Sequence, residues 1–385
     1  MRNESCEPRN FCSESNQLCG GQSSKHKCSS TSGNYECKCA NGFFNYDTKS
    51  CFEDTDRNHE EPYLLHGGIS AIKFHRINSK QEILRNISAG HDCSYMLIDY
   101  NYAKNYYVFV MDDVVYGDRL FDNRESLFET SSPVKLRKLS EAPRRLALDW
   151  IHDIVIISTS FSLEMFSVRN PKMLHSWECD ITDFQGSETC MTFPSLLALL
   201  VDPDEAQIIM VFPTMIKTMG YDGSNKKVLY ANEGGFRDVA TYDVMEKKIY
   251  IANLVIPENN VTVIDLNGKV ANQFLISSLN AWYGPHVLDT FGEYLVISKA
   301  EMLYTFDKHG ILPHAKIFAK AGCNYGKLVH ASKQPQFVNK CDQNTRQGKK
   351  CRGLCLPSKN GNKCIEPIDE KTCDAKQYTC TATQM

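Results

Sequence analysis

Short apolar runs separated by brief polar turns recur through the long middle of the chain, from about residue 62 to 336. Each copy has an apolar strand, a turn that often holds Asp, and a second strand that is still more apolar. Met96-Leu97-Ile98-Asp99 leads to Tyr106-Tyr107-Val108-Phe109-Val110, and Leu146-Ala147-Leu148-Asp149 leads to Ile154-Val155-Ile156-Ile157-Ser158. Leu199-Leu200-Val201-Asp202 precedes Ile208-Ile209-Met210-Val211, and Ala240-Thr241-Tyr242-Asp243 precedes Ile249-Tyr250-Ile251-Ala252. The last copy runs from His286-Val287-Leu288-Asp289 to Tyr294-Leu295-Val296-Ile297-Ser298. Spacings between the Asp residues are 50, 53, 41 and 46. That period predicts one four-stranded sheet per copy, and such sheets bury both faces only by stacking radially on neighbours. β-branched and aromatic residues suit buried strands. Asp222-Gly223 and Asn267-Gly268 predict further hairpins with positive-φ turns.

A recurring Asp at a strand end could be taken for a catalytic acid. Five copies at equivalent positions point instead to structure, each carboxylate accepting backbone N–H bonds in a turn. G-x-S-x-G, H-E-x-x-H and a Gly-rich phosphate loop are all missing. The expectation is therefore no enzyme, no catalytic residue, no metal and no cofactor.

Composition refines this picture. The chain has 385 residues, 42% hydrophobic and 23% charged, which suits two or three globular units. Its net charge of −3 supports neither nucleic-acid binding nor a polybasic membrane patch. No apolar stretch is long enough for direct membrane insertion by this segment, and no secretory leader follows Met1. Of 17 cysteines, seven lie in the first 51 residues and six between Cys341 and Cys380, leaving Cys93, Cys179, Cys190 and Cys323 in the middle. Cysteine-dense ends around a cysteine-poor body predict stapled modules, an oxidising compartment and a fragment of a longer secreted or membrane-anchored protein. Cys6 fits a remnant of an upstream module.

At the N-terminal end, Cys12, Cys19, Cys28, Cys37, Cys39 and Cys51 form a set of six, with fifteen formal pairings. The run Ser32-Gly33-Asn34-Tyr35-Glu36-Cys37-Lys38-Cys39-Ala40-Asn41-Gly42-Phe43 resembles an EGF-like domain. The resemblance implies Cys12–Cys28, Cys19–Cys37 and Cys39–Cys51. Pro8-Arg9-Asn10-Phe11 replace the acidic residues of the calcium-binding subtype, so no calcium is expected there.

The repeats resemble the YWTD propeller of the LDL receptor family. Every copy keeps the front Asp, and none keeps the Trp or final Asp of the second motif. In that family the last blade is built from both ends of the repeat region, and residues 62–74 and 325–335 resemble the two pieces. The resemblance thus implies an all-β fold: a six-bladed β-propeller with small disulfide-rich EGF-like modules at both ends. The expected divisions are a linker or remnant at 1–11, an EGF-like domain at 12–51, the propeller at 62–336 and a degenerate EGF-like domain at 341–380. Cys179–Cys190 is expected as a loop disulfide. At the C-terminal end the resemblance implies Cys341–Cys355 and Cys351–Cys364, leaving Cys373 for Cys380. Pro335, Phe337 and Val338 are expected to dock this module.

The resemblance further implies an extracellular ligand-binding module of an LDL-receptor-related endocytic receptor, taking a protein or lipoprotein ligand and joined to other modules of a longer chain. The alternative is a secreted matrix or signalling-co-receptor protein, nidogen-like or Wnt-co-receptor-like, that uses the propeller as a binding scaffold. Loops entering the first strand of each copy carry the expected contact residues: Tyr95, Arg144, Arg145, Phe193, Phe236, Arg237, Trp282, Tyr283 and His286. Acceptor sequons for N-glycosylation begin at Asn3, Asn86 and Asn260. His66, His152, His286 and His330 lie in or near strands and could couple to pH.

Overall fold

In the computed structural model, the described residues are 26–31, 34–40, 43–45, 51–53, 60, 62–68, 71–76, 82–86, 97–122, 124–128, 132–160, 162–178, 196–232, 234–236, 239–255, 258–276, 287–299, 302–310, 316–320, 326–342, 351 and 353–365. The chain divides into two compact units. One comprises Met1–Tyr95 and Arg237–Pro335, and the other Met96–Phe236 and Gln336–Met385.

The second unit holds three four-stranded antiparallel meanders. The first contains β8 (Ile98–Asn101), β9 (Tyr106–Met111), β10 (Val114–Arg119) and β11 (Val134–Lys138). β12 (Arg145–Asp149), β13 (Ile154–Ser158), β14 (Ser162–Ser167) and β15 (Asn170–Glu178) make the next. β16 (Ala198–Asp202), β17 (Gln207–Val211), β18 (Met215–Gly220) and β19 (Lys227–Ala231) make the third. The first strands β8, β12 and β16 lie side by side. Tyr106, Val108, Val110, Leu146, Leu148, Val155, Ile157 and Phe166 interdigitate between the first two sheets. This unit also holds β29 (Leu354–Ser358) paired with β30 (Gly361–Ile365), stapled by Cys341–Cys355 and Cys351–Cys364.

The first unit begins with two short hairpins, β1 (His26–Thr31) with β2 (Asn34–Cys39) and β3 (Phe43–Asn45) with β4 (Cys51–Glu53). Cys39–Cys51 staples these to each other. Two meanders follow the repeat pattern. They are β20 (Val239–Asp243), β21 (Lys248–Val255), β22 (Glu258–Asp265) and β23 (Val270–Leu275), then β24 (Val287–Phe291), β25 (Tyr294–Lys299), β26 (Met302–Asp307) and β27 (Lys316–Lys320). Tyr250, Val261, Val263, Leu288, Leu295, Ile297 and Phe306 form the core between them. A further sheet is composite. β28 (Gly326–Val329) pairs with β5 (Tyr63–Gly68), which continues to β6 (Ala71–Arg76) and β7 (Glu82–Asn86).

The expected six-bladed propeller therefore needs correction. Among the described residues the fold is all-β and helix-poor, with five propeller blades built from the repeat rather than six: β8–β11, β12–β15, β16–β19, β20–β23 and β24–β27. The composite β28-β5-β6-β7 sheet is no sixth copy. Its first strand and its other three come from opposite ends of the repeat region, so no Asp-bearing turn joins its first two strands.

Candidate functional site

Strand register sorts the five repeat carboxylates into two positions, correcting the view that they are equivalent. Asp149, Asp202 and Asp243 pair with the first residue of the next strand, Ile154, Gln207 and Lys248. Their counterpart in the first copy is Asn101, which faces Tyr106, whereas Asp99 lies two residues earlier, opposite Val108. Backbone geometry agrees. Asn105, Asp153, Ala206 and Lys247, each four residues after Asn101, Asp149, Asp202 and Asp243, all have positive φ. In the fifth copy the turn shortens to Gly292-Glu293, and Asp289 sits two residues before the strand end, like Asp99.

The two positions do different work. At the turn position one oxygen accepts successive backbone N–H groups. Asp149 Oδ1 takes Ile151 at 2.9 Å and His152 at 3.1 Å, Asp202 Oδ1 takes Asp204 at 3.2 Å and Glu205 at 3.3 Å, and Asp243 Oδ1 takes Met245 and Glu246, each at 3.0 Å. At the inner position the carboxylate reaches the neighbouring sheet. Asp99 Oδ2 accepts Leu148 N–H, and Asp289 Oδ2 accepts Leu328 N–H, both at 3.0 Å. Lys333 donates to Asp289, as does Thr241 from the preceding sheet at 3.4 Å.

In the second unit the turn end of the sheets receives the C-terminal segment. His152 Nδ1–H donates to Asp149 Oδ2 at 2.7 Å, which leaves Nε2 to accept Lys340 N–H at 3.2 Å. Asn339 donates to Ile151 O at 3.2 Å, and Lys340 Nζ to Asp204 O at 2.6 Å. Lys359 pairs with Glu205 at 3.2 Å. The expected anchor Val338 remains 69% exposed, so backbone-directed hydrogen bonds from the next two residues replace it. On β15, burial, reinforced by the nearby Lys363 ammonium, lowers the His175 pKa. Beside Asp149, burial and then that carboxylate's charge raise the Tyr221 pKa well above its ordinary value, keeping the phenol protonated.

The first unit carries a buried ionic cluster at the same end of its sheets. Lys308 Nζ contacts Glu246, Asp243 at 3.4 Å and Glu293 at 3.9 Å. His309 Nε2 meets Glu293 at 2.8 Å, and Lys248 meets Glu246 at 2.8 Å. Burial alone would raise the Glu246 pKa, but Lys308 and Lys248 outweigh it and hold the carboxyl down to about 2. The three carboxylates likewise overcome burial at Lys308 and raise its pKa. Glu246, Glu293 and His309 place ligand atoms within 4.8 Å of one another, the spacing of a metal site. The Lys308 ammonium already supplies positive charge to those carboxylates, so the arrangement reads as a closed ion network.

Of the expected contact residues, Arg144 is exposed, with Nη2 3.5 Å from Ser160 Oγ. Arg145 turns inward, donating to Leu197 O at 2.9 Å and Arg144 O at 2.7 Å. Phe236 is buried against Tyr230, and its N–H donates to Pro213 O. Tyr95, Phe193, Arg237, Trp282, Tyr283 and His286 lie outside the described residues, as do Asn3, Cys6, Cys12, Cys19, Cys93, Cys179, Cys190, Cys323, Cys373 and Cys380. Cys28 and Cys37 pair through their backbones in β1 and β2. Asn86 ends β7, and Asn260 lies on β22. His330 is buried as a structural clasp: Nδ1 accepts Ser332 N–H at 3.1 Å, and Nε2–H donates to Glu60 O at 2.9 Å. His66 lies on β5. Neither the placement of Asn101 at the turn position of the first copy nor the Lys308 network carries a motif. Only the positive-φ residue four positions on, Asn105, hinted at the true register.

Among the described residues, no helix is long and apolar enough to cross a membrane. Comparison with known proteins gives little beyond this. No family model matches the sequence, and no curated protein matches it. Among solved structures, a chain of the "Crystal structure of Nidogen/Laminin Complex" aligns over 71% of this chain and 95% of its own, with a TM-score of 0.48 and 11% identity.

Proposed function

We propose that this chain is a non-catalytic extracellular scaffold that binds a protein ligand, of the secreted matrix or signalling-co-receptor kind. One observation supports this most directly. In the second unit the turn end of the sheets is occupied by the chain's own C-terminal segment through Asn339, Lys340 and Lys359. Exposed Arg144 stands at the opposite end, where β12 begins. An end already covered by its own chain leaves the other for a ligand, and Arg is a frequent hot-spot residue. Within this unit the proposed contacts are Arg144 and Phe193. Arg145 and Phe236 leave that set because their groups are committed internally. Disulfides at both ends fit an oxidising environment.

The test places a photo-crosslinking amino acid at position 144 or at position 204 of the secreted chain, then adds extracellular matrix extract. A discrete protein should be captured from 144 and be lost when Phe193→Ala is added. Capture from 204 alone would overturn the proposal.

A further inference from the structure

We propose that Asn260 carries an N-linked glycan whose first sugar lies over Leu275. Asn260-Val261-Thr262 is an acceptor sequon, and β22 presents its Asn at a half-exposed position. Three residues stand in a cross-strand row, Asn253 on β21, Asn260 on β22 and Leu275 on β23. Directly paired residues share a sheet face, with Cβ atoms roughly 5 Å apart. Asn253 Nδ2 donates to Asn260 Oδ1 at 3.3 Å, so the planar amide turns its oxygen toward β21. Its Nδ2, the atom that is glycosylated, then faces the β23 side. There Leu275 is 69% exposed. The neighbours Val261 and Phe274 take the other face and pack into the core between the two repeat sheets, so modification on this face leaves that core alone.

The reaction requires a polyprenyl-diphosphate-linked oligosaccharide. Asn260 Nδ2 forms a bond to the anomeric carbon and loses one proton. The bond from that carbon to the diphosphate oxygen breaks, and polyprenyl diphosphate leaves with the electron pair. The apolar C–H face of the first N-acetylglucosamine then covers the Leu275 side chain.

The experiment uses the full chain secreted from eukaryotic cells. Peptide N-glycosidase in heavy-oxygen water should convert Asn260 to labelled Asp, detected by peptide mass. Recovery of unlabelled Asn260 would overturn the glycan. Dye binding then probes Leu275 on the folded protein. An endoglycosidase that leaves one N-acetylglucosamine should not change fluorescence of a hydrophobic dye, whereas complete removal should raise it. Leu275→Ser should abolish that rise. A rise that persists in Leu275→Ser, or no rise at all, would overturn the placement over Leu275. Enzymatic removal after folding separates these outcomes from any folding role of the sugar.

Discussion

Asp149 and Asp243 occupy the same turn position in different sheets, and each gives one oxygen to two backbone N–H groups. Their second oxygens diverge. Asp149 Oδ2 holds the His152 ring, whose other nitrogen receives the C-terminal segment. Asp243 Oδ2 meets Lys308, an ammonium shared with Glu246 and Glu293. The repeat thus fixes half of the carboxylate for the turn and leaves the other half free to specialise. In one unit it organises a docking contact, and in the other an ion network.

The largest effect should come from breaking the ion network. Lys308→Met leaves three carboxylates without their shared cation and should cost about 3–5 kcal/mol. Chemical denaturation would measure the loss, and hydrogen exchange should locate it in β20–β27. A cost near that of a surface lysine would show that the cluster is solvated. Acid should act on the same cluster. With Glu246 at about 2 when folded and an ordinary value of 4.5, its stabilisation is complete above the ordinary value. It is lost as pH falls from 4.5 toward about 2. That contribution is about 3 kcal/mol, and a pH-dependent unfolding series should show it in wild type but not in Glu246→Gln.

Asn101→Asp sharpens the contrast from the other side. Asn101 fills the turn position but donates Nδ2 to Trp150 O at 2.6 Å and to Asp153 Oδ1 at 3.2 Å. A carboxylate there meets two acceptors in a buried site and should cost about 3 kcal/mol. A neutral result would mean that register alone selects the residue. Next comes Gly223→Ala. Gly223 has φ +78°, and an added Cβ would meet the Trp177 ring, so a loss of about 2 kcal/mol is expected by thermal denaturation. The smallest effect has the opposite sign. Ala206 holds the left-handed position of its turn at φ 53°. Ala206→Gly should stabilise the protein by roughly 0.5 kcal/mol, and a loss would show that its buried methyl contributes more than the strain.

The strand pairs of the five repeat blades were legible because Val, Ile and aromatic runs flank recurring polar turns. Which polar residue closes each turn was not. In the first copy the position is Asn, since its second head atom must donate. In the fifth the turn contracts by two residues, and both changes made Asp99 and Asp289 look like the turn residues. Blade count failed for a related reason, because the sheet joining the ends contains no copy of the repeat. The candidate site was only partly legible. Arg144 and Arg145 are adjacent in sequence, yet strand alternation exposes one and commits the other to carbonyls, which composition cannot foresee. The side chains of Asn339 and Lys340 end on backbone carbonyls, and such partners leave no signature in side-chain identity.

The pairing of β28 with β5 has a mechanical consequence. Val329 faces Tyr63, so the chain enters and leaves this sheet at the same end of the pair. Tension between the segments outside the sheet would load these bonds one after another, as in a zipper, rather than all together in shear. The His330 ring bonded to Glu60 O stands where the opening would begin. Together with the Lys333 bonds to Asp289 and Thr290 O, this imidazole is among the links loaded before the strand pair itself opens.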